Sequence, residues 1–203
     1  MKTIGITGGV GAGKSLVLNY IKEHYRAKIY MADDIANLLK EPGQSCYQPM
    51  IDLLGADILD ADKRIDKAKM AENIFAKKEL LQKVNAVIHP AVKTYVLTEI
   101  EAEKLKNEQD FFILEAALLI EEQYDKILDE LWYIRADEKV RSERLKASRN
   151  YSDEKIKNIM NNQMSDEVFM EHCKVVIENN GDLHKTYRQI DEKLGEYISA
   201  ENK

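Results

Sequence analysis

Gly8-Gly9-Val10-Gly11-Ala12-Gly13-Lys14-Ser15 spells G-x-x-x-x-G-K-[ST], and it follows the alternating run Thr3-Ile4-Gly5-Ile6-Thr7 directly. In such a loop successive backbone N–H groups turn inward on phosphate oxygens, a curl that residues carrying a Cβ obstruct. Lys14 adds a point charge for the β- and γ-phosphates, and the Ser15 hydroxyl can ligate Mg²⁺. Val17, Leu18, Ile21 and Tyr25 recur at helical spacing beyond the loop, so the phosphates are expected at a helix N-terminus. Strand, loop and helix therefore arrive in the order that phosphate binding needs. The candidate nucleotide-binding residues are Gly8, Gly9, Val10, Gly11, Ala12, Gly13, Lys14, Ser15 and Leu16, with ATP and Mg²⁺ as the expected ligands. The competing reading of the same stretch is a glycine-rich turn that binds nothing.

Composition narrows the class. The chain has 203 residues, 44% hydrophobic and 33% charged, enough for one core with a helical appendage and too few for two large independent domains. A formal net charge of −6 argues against a general nucleic-acid binder, which needs a basic surface to displace counterions. Cys46 and Cys173 are the two cysteines. They are too few for a disulfide framework and lack C-x-x-C spacing, so a reducing, cytoplasmic setting is expected. The apolar run from Phe111 to Ile120 is short and interrupted by Glu115, so no membrane span is expected.

Short apolar runs alternate with longer helical patterns, the mark of a parallel sheet with crossover helices. After the first strand the candidates are Ala27 to Tyr30, Phe111 to Leu114, Leu131 to Arg135 and Val175 to Glu178. The fold class expected is α/β, a five-stranded parallel sheet flanked by helices, of the phosphate-loop type that resembles nucleoside monophosphate kinases. One domain of three parts is expected: a core (about 1–31, 108–136 and 172–203), a helical insertion for substrate (about 32–107) and a helical lid (about 137–171). Within the insertion, Pro42-Gly43 and Gly55 read as breaks, and His89-Pro90 reads as the start of a helix lined by Val92, Val96 and Ile100. Leu183, Tyr187, Ile190, Leu194 and Tyr197 mark a closing helix that covers the core.

Further candidates for chemistry each have a plainer alternative. Asp33 and Asp34 follow the second strand at its C-terminal end, the edge where open α/β sheets bind ligands. Asp33 can accept a proton from an attacking hydroxyl, or cap a helix; Asp34 reads mainly as a cap. Glu115 ends the strand Phe111–Leu114, where an acid can reach a metal or simply face solvent. Arg144 and Arg149, on the helical stretch after Asp137, can neutralise a transferred phosphoryl group from a closing flap. Arg141, interleaved with Glu138 and Glu143, reads instead as part of a solvated, salt-bridged face. His89 can donate to a phosphate or cap its helix.

These segments, taken in order, resemble the dephospho-coenzyme A kinase family over nearly the whole length. Ile4-Gly5-Ile6-Thr7-Gly8-Gly9 with the G-K-S loop resembles that family's opening, and Ala32-Asp33-Asp34-Ile35-Ala36 resembles its D-A-D-x-I-A segment. Glu41-Pro42-Gly43, Ile65-Asp66 and Ile88-His89-Pro90 follow in the family's order, as do Leu118-Leu119 with Glu121, Arg144-Leu145 with Arg149, Gln163, and Val176-Ile177-Glu178-Asn179-Asn180-Gly181. The resemblance implies transfer of the ATP γ-phosphate to the ribose 3′-hydroxyl of dephospho-coenzyme A. It implies Asp33 as base and, with His89, as acceptor contact, Lys14, Arg144 and Arg149 as catalytic groups, and Ser15 with Glu115 on Mg²⁺. A monomer or weak homo-oligomer is expected, without nucleic acid or membrane as partner. Departures from the family pattern are Met31 for its first acid, Leu16 for Thr, Glu115 for Asp, Ala117 for Pro and Arg141 for Gln. The alternatives are another small-molecule or nucleotide kinase of the same core, or a nucleotide-dependent switch.

Overall fold

The computed structural model describes residues 1–75 and 78–201; residues 76 and 77 of the expected insertion and 202–203 of the expected core lie outside them. Five strands form one parallel sheet: β1 Lys2–Thr7, β2 Ala27–Met31, β3 Phe111–Glu115, β4 Glu130–Arg135 and β5 Val175–Glu178, in the order β2-β3-β1-β4-β5. All five coincide with the strands expected from apolar runs, to within a residue at each end. Coverage on both faces explains why those runs are nearly unbroken. Ile4 and Ile6 of β1, Phe112 to Leu114 of β3, and Trp132 and Ile134 of β4 are fully buried.

The register decides where polar residues end up. Ile6 pairs with Glu115 and Thr7 with Tyr133, while Arg135 pairs with Glu178. Glu115, Arg135 and Glu178 therefore share the C-terminal edge of the sheet with the end of β1. Helix α1, Lys14–His24, returns from that edge and buries Val17, Leu18 and Ile21.

Two compact units divide the described chain: 1–30 with 103 onward, and 31–102. The second unit holds α2 Ala32–Leu38, α3 Tyr47–Leu54, a 3-10 turn Ala56–Ile58, α4 Lys67–Phe75 and most of α5, Lys78–Lys106. Its own core is Met50, Ile58, Met70 and Val84, with Leu53, Leu54, Leu59, Ile65 and Ile74 packed around them. Gly55 ends α3 with a positive φ of 86°, as its glycine suggested. His89-Pro90 is a different matter, because it starts no helix: Pro90 lies inside the continuous α5. Proline costs that helix one hydrogen bond and some crowding, but its φ is helical. The stripe Val84, Val92, Val96, Ile100, buried on both sides of the proline, outweighs that cost.

Asp34 is likewise no cap. Met31, in extended conformation, precedes α2, and Asp33 and Asp34 are exposed residues of its first turn, where carboxylates suit the positive end of the helix dipole.

The first unit continues through α6 Glu138–Arg149, α7 Asp153–Asn161, α8 Asp166–His172 and α9 Leu183–Glu201. In α9, Ile190 and Leu194 are fully buried, and Tyr187 stacks on Tyr20 of α1 with ring centroids 4.0 Å apart. Helix α8 is tied to β4 by its first residue. The Asp166 carboxylate accepts from the Tyr133 hydroxyl at 2.6 Å and from Arg135 Nε at 2.7 Å, while Phe169 stacks on the Tyr133 ring at 4.4 Å. Arg135 also reaches Glu178 and Asp137, each at 3.0 Å.

Desolvation raises the Asp166 pKa, but the bonds from Tyr133 and Arg135 outweigh it and hold the carboxyl below its usual range. A depressed folded pKa means that this contribution is present above the unfolded pKa of about 4 and is lost as pH falls through the lower folded value. Asp166→Asn is therefore expected to lower the melting temperature at pH 7 and to converge with the parent as pH falls through the lowered folded value, a comparison that a thermal melt series resolves.

Candidate active site

The loop between β1 and α1 is described best by its carbonyl groups. Gly8 O accepts from Lys14 Nζ at 2.8 Å, and Gly9 O from the Ala12 N–H at 3.1 Å. Val10 O accepts from Arg141 Nε at 2.9 Å. Gly11 O and Ala12 O lie 3.4 and 3.3 Å from Arg144 Nη1, and Ala12 O also accepts from Asn179 Nδ2 at 2.7 Å. Gly13 O enters the first turn of α1 by accepting from Leu16 N–H at 3.0 Å. Every carbonyl from Gly8 to Gly13 thus has a donor. Because the C=O and N–H of a trans peptide point opposite ways, the remote donors on Val10 O and Ala12 O turn the Gly11 and Gly13 amides the other way, toward an anion, while the Ala12 N–H stays with Gly9 O.

Glycines make this possible. Gly13 has φ 89°, in the left-handed region, and a Cβ there would run into Asn179 Nδ2. At Gly9 the constraint is proximity alone: a Cβ would lie 2.5 Å from Arg141 Cζ. The glycine spacing of the motif reflects what is pressed against the loop as much as how the loop bends.

Lys14 projects to the edge of β3, where its Nζ lies 3.5 Å from Glu115 Oε1, with side-chain exposures of 17% and 13%. Glu115 is therefore turned toward the loop lysine rather than out to solvent. Ser15, next in α1, is exposed. Arg144 sends Nη2 to the Asn179 carbonyl at 2.9 Å, so one guanidinium bridges the loop and the segment after β5. Arg149, at the C-terminal end of α6, is exposed and lies over the Tyr151 ring at 5.9 Å. The structure thus gathers Lys14, Glu115 and Arg144 around the loop and sets Arg149 against Tyr151. Asp33 and His89 belong to the second unit, in the first turn of α2 and within α5.

Arg141 overturns the solvated reading of its helix face. It is 9% exposed, and besides Val10 O it donates through Nη2 to the Gln163 side chain in the turn after α7. Spacing among glutamates made it look like a surface residue. The acceptors that bury it, a loop carbonyl and a distant amide, carry no local sequence signal. Asn179, 1% exposed, was likewise visible only as one member of a motif, without a role.

The glycine loop at the C-terminal end of the central strand, with lysine and arginine converging on it, defines a phosphate-loop phosphotransferase. A family model described as dephospho-CoA kinase matches residues 2–185. The dephospho-CoA kinase of Streptococcus agalactiae is 34% identical over 193 residues, 95% of this chain and 97% of that relative. A Thermus thermophilus crystal structure superposes with a TM-score of 0.78 at 26% identity, covering 96% of this chain and 97% of the other. The Campylobacter jejuni dephospho-CoA kinase shares the fold with a TM-score of 0.72 at 19% identity, over all of both chains. The chain belongs to the dephospho-CoA kinase family, and is a kinase that uses ATP.

Removing the Arg141 guanidinium strands the Val10 carbonyl and the Gln163 amide. Arg141→Ala is expected to cost about 2–4 kcal/mol of stability, read as a lowered urea midpoint at unchanged slope.

Proposed function

We propose that the chain transfers the γ-phosphoryl group of ATP to the ribose 3′-hydroxyl of dephospho-coenzyme A, releasing ADP and coenzyme A. The observation that carries this reading is the phosphate loop with the carbonyls of Val10, Gly11 and Ala12 held by side chains from α6 and the segment after β5, in a chain whose family is defined by that reaction. The amides of Gly11 and of Gly13 to Ser15 cradle the phosphates, while that of Ala12 stays on the Gly9 carbonyl. Lys14 moves its ammonium from the Gly8 carbonyl to the β- and γ-oxygens, a short displacement for a flexible four-carbon stem. As the 3′-oxygen bonds to γ-phosphorus, the bond from γ-phosphorus to the β,γ-bridging oxygen breaks and that oxygen leaves with ADP; the hydroxyl proton passes to Asp33. Arg144 and Arg149 neutralise charge spreading over the phosphoryl oxygens from the lid formed by 137–171. The unit 31–102, with Asp33 and His89, holds the acceptor.

The donor set fits a hard cation. Ser15 and Glu115 offer oxygen ligands beside the loop, and among the described residues no group of three or more His, Cys, Asp or Glu is arranged to hold a metal. Ser15 and Glu115 would hold magnesium there, an ion that commonly keeps several waters. When bound, it would offset negative charge on the phosphates. Both cysteines are buried and unbridged, and burial pushes the Cys173 thiol up to about 12; inert thiols of this kind support a cytoplasmic setting. Among the described residues no helix is long and apolar enough to cross a membrane.

Incubation with Mg·ATP and dephospho-coenzyme A should yield the 3′-phosphorylated product by mass. Preferential phosphorylation of nucleoside monophosphates would replace the acceptor assigned here. Asp33→Asn is expected to lower kcat by about 10²-fold or more with ATP affinity kept; undiminished turnover would remove Asp33 from the proton transfer. In contrast, Lys14→Ala should weaken ATP binding and turnover together, measured by calorimetry alongside initial rates.

A further inference from the structure

We propose that Asn179 is a positioning residue of the phosphate loop: its side chain fixes the plane of the Ala12–Gly13 peptide, and its carbonyl aims Arg144. This rests on the reading of the loop as the ATP site.

Asn179 follows β5 directly and is 1% exposed, so all of its polar atoms need partners within the protein. Each has one. The backbone N–H donates to Arg135 O at 2.8 Å. The carbonyl accepts from Arg144 Nη2 at 2.9 Å. Side-chain Nδ2 donates to Ala12 O at 2.7 Å, and Oδ1 lies 3.2 Å from the Thr186 hydroxyl. The Ala12 carbonyl can only accept, which dictates the amide orientation: nitrogen to the loop, oxygen to Thr186. Thr186 is itself fully buried on α9 and lies 3.1 Å from the Glu178 carbonyl.

The geometric consequence falls on the phosphate. With Ala12 O held by Asn179, the Gly13 N–H of the same planar peptide points the opposite way. That amide belongs to the group expected to cradle the phosphates. Rotation of the plane would leave a buried acceptor without its partner and turn one phosphate donor aside. Gly13 is what lets the amide come so close, since a Cβ there meets Nδ2. Asn179 also couples two groups that the reaction needs together. Arg144 rests on its carbonyl and lies over Gly11 O and Ala12 O, so loop shape and arginine placement depend on one buried residue.

Asn179→Asp keeps the shape and replaces the donor facing Ala12 with an acceptor. The full chain and this variant are compared by calorimetric titration with Mg·ADP and by steady-state rates. The expected result is a Kd for Mg·ADP raised about tenfold or more, a matching rise in KM for ATP, and a KM for the acceptor within about twofold of the parent. A lowered melting temperature with Kd and KM for nucleotide unchanged would show a purely structural role and overturn the proposal. If Asn179→Asp does not fold, Thr186→Val takes its place, since it removes the hydroxyl beside Oδ1 and leaves the amide. A rise in Mg·ADP Kd of about threefold is then expected, and no change overturns the proposal. Failure of the parent to phosphorylate dephospho-coenzyme A would count against the acceptor assignment alone, because the Mg·ADP comparison needs no acceptor.

Discussion

The hold on the carbonyls of the loop from Gly8 to Gly13 is the constraint on which the site depends. A run of amides aimed at one point is unfavourable by itself, since their dipoles repel and each carbonyl behind them must be satisfied. Here the satisfaction comes from Lys14, Arg141, Arg144 and Asn179, and from the loop and helix backbone. Three of those four side chains lie more than a hundred residues away in the chain. The loop is therefore organised by α6 and by the segment after β5 as much as by its own glycines, through bonds made within the protein. Preorganisation of that kind lowers the cost of binding and keeps charge stabilisation ready for the transfer step.

The same elements meet again at the sheet edge. Arg135 ends β4 and reaches Asp166, Glu178 and Asp137, so one guanidinium joins the start of α8, the end of β5 and the residue before α6. A charge shared among three carboxylates is held firmly, whereas an isolated exposed pair contributes little. The arginines of α6 then take up positions set by that frame: Arg141 beneath the loop, Arg144 across it, and Arg149 out on the Tyr151 ring. Among the described residues no buried side-chain nitrogen or oxygen lacks a hydrogen-bond partner, which is what makes so polar an interior tolerable.

Much of this was legible in the chain. The strands were readable because burial on both faces requires continuous apolar runs, and the loop because its glycine spacing has few other uses. Glu115 was readable at the tip of β3, although whether it faced the loop or solvent was not. Legibility failed where the deciding partner was remote or where two local rules disagreed. Pro90 reads as a boundary, yet it lies within α5 because the apolar stripe on either side of it is stronger than one missing hydrogen bond. Asp34 has the composition of a cap, but Met31 occupies that position.

By itself the sequence determined the parallel α/β core, the phosphate loop, the family and the residue types available for phosphoryl transfer, because periodicity, turn chemistry and ordered motifs are local properties. Tertiary structure alone decided that Arg141 is buried rather than solvated, that Asn179 holds the loop, and that Lys14 lies beside Glu115. Those outcomes depend on which acceptor stands within about 3 Å of a donor once the chain has folded, and spacing along the chain does not encode that.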